Sequence, residues 1–570
     1  MAPPHDAYPA LELPRRPGSY SASMWDDGYI QSLRNEYCRE DSERGRMEKL
    51  KQVIRGLLED GTVGLAEQLE LVDLLQGLGV GRHFEKEVHG ILSEAARVAA
   101  GDHGEVLKDD LSSTALLFRL LRQHGYRISQ DVFNRFREEP GGHFEAYLHG
   151  DVRVALSLYE ATLYGHTRES TLDAARAAAL RTLQNLVASE EDIDANLREE
   201  VAHALELPLN RRIGRLQARW LLEMSTRKPV DMVHPTLLEL AALDFNMVQS
   251  IHRGDLKKMS RWWTDLGLKE KLSFARDRLM ENYFRSIGIV PDPQFSRCRE
   301  KLTQVCCLIS TIDDIYDEYG TYDELHAFTK AVERWEVTAA YDLPQYMQSC
   351  YFVLLNTVGQ MCHELQREKG LDALPFLKKA WADLCRAFLI EAKWCYEKCM
   401  PTFKDYMGNA WMSISVHVVL AHAILFMDVD MTEKDFEHLR QYPPVICYSS
   451  TIFRLLNDLV ERERWDTPSA IACYMNENSA TEEAARRHIK DLIDETWSAM
   501  SQEITASSLP ARFTTAAANV ARLGHCLYQH GDGHSKPGKE FKYRVRSLLM
   551  EPIIPAKRSA AAEHILLRAE

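Results

Sequence analysis

The chain has 570 residues, 45% hydrophobic and 27% charged, so it is long enough for more than one domain and apolar enough for a large core. Its formal net charge of −15 excludes the basic footprint of a nucleic-acid binder, although a local metal or arginine cluster can still receive an anionic substrate. Twelve cysteines are scattered from Cys38 to Cys526 without a CxxC pair, which excludes a zinc ribbon and reads as reduced, intracellular thiols.

The N-terminal residues contain no apolar signal core. Before Arg15 they carry four prolines with Asp6 and Glu12, unlike a Ser- and Arg-rich transit segment, so a cytoplasmic protein is expected. Beyond them nearly every segment has helical spacing of apolar residues, as in Leu65, Leu69, Val72 and Leu75. Breakers fall between such stretches, at Glu139 to Gly142 and Val290 to Pro293. Strand signals are scarce, and an all-α fold is predicted. The polar run Ser225 to Pro229 ends in a helix breaker and marks an expected boundary between two helical domains, 1–228 and 229–570.

In the second half, Arg276-Asp277-Arg278 sets two arginines two apart. They cannot share a helix face, but from a loop both can reach one anion; ordinary surface charge gives the same pair. Next, Leu302, Cys306 and Ile309 form an apolar stripe at spacings of four and three. Its continuation is Asp313, then Tyr316 and Asp317. Carboxylates on a buried stripe are paired or bind a cation, unless the helix end is simply solvated. Asp313 and Asp317 can share an ion, with Asp314 rotated off as support. Oxygen ligands favour Mg²⁺ or Mn²⁺ over zinc.

The segment Trp411 to Met427 has no charge but is interrupted by Ser413, Ser415, His417 and His422. It is predicted as a buried helix and not a membrane span. Finally Arg454, Asn457, Asp458 and Glu461 fall on one helix face, which suits a metal-bridged phosphate or an ordinary stripe of surface ion pairs.

Taken together these motifs resemble the plant terpene synthase family, nearly end to end. Arg15-Arg16 followed by Trp25 resembles its tandem-arginine motif. Leu205 to Leu209 and Arg215 to Trp220 resemble the end of its first domain, and Leu243 to Gln249 with Arg261-Trp262-Trp263 the start of its catalytic domain. Arg276-Asp277-Arg278 is similar to its RxR motif, Asp313 to Asp317 to its DDxxD motif, and Gly531-Asp532-Gly533 to part of its lid.

The resemblance implies a C-terminal class I terpenoid synthase bundle and an N-terminal α-barrel relic whose first residues close over the pocket. It implies Mg²⁺ at Asp313, Asp317, Asn457 and Glu461, with Asp314 and Asp458 behind them or in their place. Arg276, Arg278 and Arg454 take the leaving diphosphate, and Tyr528 and Asp532 join Arg276, Arg278 and Asp313 in catalysis. No DxDD acid is present in Asp192 to Ala195 or Asp428 to Met431, so initiation by ionisation is expected. With a cytoplasmic location the implied substrate is farnesyl diphosphate, giving a sesquiterpene. The alternatives are geranyl diphosphate, towards which Arg15-Arg16 points, or an impaired homologue. A monomer without stable membrane insertion is expected.

Three departures stand out. The family's second metal motif has a Ser or Thr and a later Glu; here Glu461 follows Val460 at once, with Trp465 in the later place, as if four residues were deleted. Arg285 replaces a Trp that commonly lines the pocket. Ser415-Val416-His417 stands where relatives often have Gly and Pro, and His417 is most simply a core histidine.

Overall fold

The computed structural model describes residues 20, 23–34, 41–100, 110–136, 144–148, 151–188, 194–227, 235–429, 431–460 and 468–554. All regular structure among them is helical. A small apolar core lies within residues 111–204, built on Phe118, Phe133, Leu158 and Leu183. A much larger one runs from Trp25 to Ile553 and joins the first helices of the chain to the C-terminal half. The expected boundary at 228/229 falls between the helices Gly214–Arg227 and Pro235–Leu266, in residues outside those described.

The helix Pro235–Leu266 locks the halves together through buried polar side chains. Asp244 accepts hydrogen bonds from Arg82 at 2.5 Å and His83 at 2.7 Å. Burial alone raises its carboxyl, but the His83 bond and the Arg82 and Arg215 charges override it and hold it at about 2. On another face of this helix, at spacings of three and four, Asn246 exchanges hydrogen bonds with Ile553, Gln249 donates to Glu551, and Arg253 donates to Leu549. Each of these buried groups therefore has a backbone partner, as burial requires. The C-terminal segment is bound by this one helix face.

Helices Leu279–Ile289, Ser296–Asp314, Leu374–Glu397, Phe403–Ser413, Pro444–Asp458 and Ala511–Tyr528 surround the site. The uncharged helix Val416–Phe426 is buried at every residue among them. Phe403–Phe426 has the length and hydropathy of a membrane span, but 72% of its apolar window is buried inside the fold. Ser415, in the left-handed region at φ 67°, breaks it into two eleven-residue helices. Each is about 16 Å long, half of what a bilayer core requires.

Candidate active site

The stripe Leu302, Cys306 and Ile309 is buried, and it leads to Asp313 at the end of its helix. There the α-helix gives way to a wider π turn over Ile315–Tyr319, closed by the Gly320 N–H donating to the Ile315 carbonyl at 2.8 Å. Gly320 is required at that point, since a Cβ there meets Leu325 at 2.5 Å and the Ile315 carbonyl at 2.9 Å. The carboxylates sit at a helix C-terminus, where the macrodipole already presents negative charge. That arrangement is unfavourable unless a cation offsets it.

Asp313 is 31% exposed at its side chain, and Asp317 is exposed at the same rim. Enclosure by protein on its other sides pushes the Asp317 carboxyl well up, followed by the charges of Asp313 and Glu391. Asp314 is fully buried. Burial raises its carboxyl to about 6 against the opposing charge of Arg276.

Arg276 lies in the loop between residues 271 and 279 and binds this acidic end. Its guanidinium meets Asp313 at 2.5 Å and Asp314 at 2.7 Å, and its backbone N–H donates to Asp314 at 2.6 Å. It also donates to the Ser535 hydroxyl at 2.8 Å. Arg278, buried, donates to the carbonyls of His534 at 3.1 Å and Ser535 at 2.9 Å. Asp277 faces the other way and accepts from the Trp263 indole at 3.0 Å, which anchors the loop.

The segment after Tyr528 is thereby clasped to the acidic motif. Asp532 accepts from the N–H groups of His534 and Ser535, both at 2.9 Å, so its carboxylate shapes the loop whose carbonyls Arg278 grips. Gly533 has no room for a side chain: a Cβ meets the Leu527 carbonyl at 2.8 Å and Phe541 at 2.9 Å. Tyr528, buried, packs edge-on against Phe453 at 5.6 Å.

The second polar stripe resolves differently. Its helix ends at Asp458. Asp458 is fully buried and accepts from the Tyr406 hydroxyl at 2.7 Å, Arg454 at 2.9 Å and the Ala470 N–H at 2.8 Å. Arg454 also donates to the Tyr406 oxygen at 2.8 Å and stands 3.5 Å from Glu391. Asn457 is half-buried and its side chain makes no hydrogen bond to the described residues. Glu461, Trp465 and the pair Arg15-Arg16 lie outside the described residues.

Sequence reasoning missed Glu391, which accepts from Ser413 at 2.6 Å and stands between the two stripes. Burial raises its carboxyl, with Arg454 opposing and Asp458 and Asp313 adding to the rise. The signal was present: Trp381, Leu384 and Phe388 are a buried stripe whose next member is Glu391. Tyr20 was missed as well. Its ring lies 5.2 Å from the Arg276 guanidinium and its hydroxyl donates to Glu318 at 3.2 Å, 298 positions along the chain. His417 is a core histidine whose Nε2–H donates to the Ala380 carbonyl at 3.1 Å, and burial lowers it to about 4.

The donor set at this cleft consists of oxygens and suits a hard cation. Among the described residues no three His, Cys, Asp or Glu side chains converge into a cage. Mg²⁺ fits such a site, because it usually takes one or two carboxylates and completes its shell with water and substrate phosphate.

Comparison with known proteins agrees with this geometry. Residues 24–205 match the terpene synthase N-terminal domain, and residues 264–499 match the terpene synthase family metal binding domain. The chain is 45% identical to (-)-alpha-terpineol synthase of Vitis vinifera, over 95% of this chain and 91% of that one. It is 45% identical to a chloroplastic myrcene synthase of Quercus ilex, over 95% and 90%. The crystal structure of isoprene synthase from grey poplar, solved with three Mg²⁺ ions and dimethylallyl-S-thiolodiphosphate, superposes with a TM-score of 0.85 at 41% identity, covering 94% of this chain and all of that one. These relatives correct one expectation. The cytoplasmic location rested on the composition of the first residues, and chloroplastic is part of the names of the oak enzyme and of poplar and Litsea cubeba relatives.

Proposed function

The chain belongs to the terpene synthase family, and we propose that it ionises geranyl diphosphate in a Mg²⁺-dependent reaction and converts the carbocation into a C10 terpene. The observation that carries this reading is the pair Asp313 and Asp317 at an accessible helix C-terminus, with Arg276 bound beside them. The C10 substrate replaces the C15 one expected from the sequence. Its support is that terpineol and myrcene, for which two relatives are named, are C10 compounds. The relatives' names also support a plastid location. We further divide the chain into an N-terminal domain, 1–228, and a catalytic domain, 229–570.

In this reading Asp313 and Asp317 hold metal on one side of the cleft, and Asn457 and Glu461 on the other. Mg²⁺, when bound, neutralises the diphosphate and makes it a better leaving group. Arg276 exchanges Asp313 for diphosphate oxygens while keeping Asp314, Arg278 turns to the same anion, and Arg454 adds a third guanidinium from the facing helix. Asp314 and Asp458 stay buried and keep Arg276 and Arg454 in place. The loop shaped by Asp532 shuts bulk solvent out of the cleft. The aromatic faces of Phe453 and Tyr528 attract the positive charge that remains on carbon.

The test is to supply the purified protein separately with C5, C10 and C15 prenyl diphosphates. The C10 substrate is expected to be preferred in kcat/KM by about tenfold or more. Turnover of the C15 substrate alone overturns the assignment.

A further inference from the structure

Every residue of the helix Leu279–Ile289 is buried except Arg285, which is partly accessible. Its surroundings are themselves buried. The guanidinium lies 6.0 Å from the Phe453 ring, and His534, Cys306 and Cys307 are close enough to feel its charge. The guanidinium, though partly accessible, is thus set among buried side chains. Arg285 makes no hydrogen bond or ion pair to the described residues, and its Nε is buried without a partner.

Two helices give its depth. Arg285 is seven residues into the bundle from Arg278, and its neighbour Cys306 is seven residues below Asp313. Seven helical residues span about 10 Å. A prenyl chain whose diphosphate sits at Asp313 brings its distal carbons to this level.

An unpaired guanidinium in an apolar interior is costly, and its five N–H donors need acceptors. Phe453 and the two cysteines supply none of strength, and His534 Nδ1, itself buried without a partner, makes no hydrogen bond to it. Water commonly meets that need for buried polar groups left without protein partners. One turn before Arg285, on the same helix face, stands Glu281, fully buried with Oε2 unpartnered. Burial raises its carboxyl to about 7, against the charges of Arg278 and Arg285.

We propose, on the basis of the terpene synthase reading above, that Arg285 holds a water molecule which captures the carbocation, so that the protein releases a terpene alcohol. The water oxygen gives a lone pair to the cationic carbon and forms the C–O bond. Its O–H bond then breaks with the electrons left on oxygen, and the proton passes to the Glu281 carboxylate. No oxidant or reductant is needed. Arg285 is a positioning residue: its charge keeps the carbocation at a distance, and its N–H groups fix the water between them.

The experiment is turnover of geranyl diphosphate with Mg²⁺ in ¹⁸O water, reading diphosphate released and products by gas chromatography and mass spectrometry. The expected main product is an alcohol carrying one ¹⁸O. Arg285→Met is expected to lower the alcohol formed per diphosphate released by about tenfold, the worth of one hydrogen bond to a charged group, with hydrocarbons in its place. Arg285→Lys is expected to retain most of the alcohol. An unmodified protein that makes only hydrocarbons, or an alcohol containing ¹⁶O, overturns the proposal, and so does an unchanged alcohol fraction in Arg285→Met. An unmodified protein that releases no diphosphate from geranyl diphosphate overturns the C10 reading and this proposal with it.

Discussion

The end of the Ser296–Asp314 helix and the end of the Pro444–Asp458 helix carry similar side chains and use them in opposite ways. At the first, Asp313 and Asp317 face the accessible cleft, and only Asp314 is turned inward to hold Arg276. At the second, Asp458 is turned inward and its three donors come from Tyr406, Arg454 and Ala470. Both ends place acids against a helix C-terminus, where the macrodipole disfavours them. The first leaves that cost to be offset by a cation; the second offsets much of it with its own arginine and N–H donors. Spacing along a helix thus selects which residues share a face, but the packing of neighbouring helices decides whether that face meets solvent or protein.

The contrast can be broken by substitution. Asp313→Ala is expected to cut diphosphate release by about 10³-fold, as loss of a group that stabilises developing charge does. Stability in the absence of metal is expected to change by only about 1 kcal/mol, because this ion pair is partly exposed and Arg276 keeps Asp314. Diphosphate assays and denaturant unfolding of the same preparation read both quantities, and a large loss of stability contradicts the contrast. Asp458→Ala is expected to behave in reverse. It removes the nearer carboxylate from Arg454 and strands the buried Ala470 N–H, at a cost of about 3 kcal/mol. An unchanged denaturant midpoint contradicts the inward role. The smallest effect is expected at Glu461→Gln, which raises the Mg²⁺ concentration for half-maximal turnover by about tenfold. Its control, Glu463→Gln, leaves that concentration alone. If neither substitution moves it, the second helix end contributes no carboxylate from this segment.

The same two regions show how far the sequence could be read. The stripe Leu302, Cys306, Ile309, Asp313 was legible because three apolar residues at spacings of four and three point at it. The π turn that follows was not, since nothing in Ile315-Tyr316-Asp317-Glu318-Tyr319 departs from an ordinary helical pattern. The grouping of Arg454, Asn457, Asp458 and Glu461 assumed a helix running through 461, whereas the helix ends at Asp458. Glu391 continues a buried stripe just as Asp313 does, but as a lone acid without a partner at i+4 it drew no notice. Tyr406 and Tyr20 were beyond periodicity altogether, because their partners lie 48 to 298 positions away. The all-helical fold was legible throughout. The location was misjudged because composition at the first residues is a weak guide beside full-length relatives.

The central claim is that Asp313 and its neighbours bind a metal that releases diphosphate. The most direct measurement is diphosphate released from geranyl diphosphate as Mg²⁺ is titrated, starting from metal-free protein in chelator. The account predicts no release in chelator, saturable release as Mg²⁺ is added, and one diphosphate for each terpene formed. Release that ignores the chelator, or none at any Mg²⁺ concentration, contradicts it.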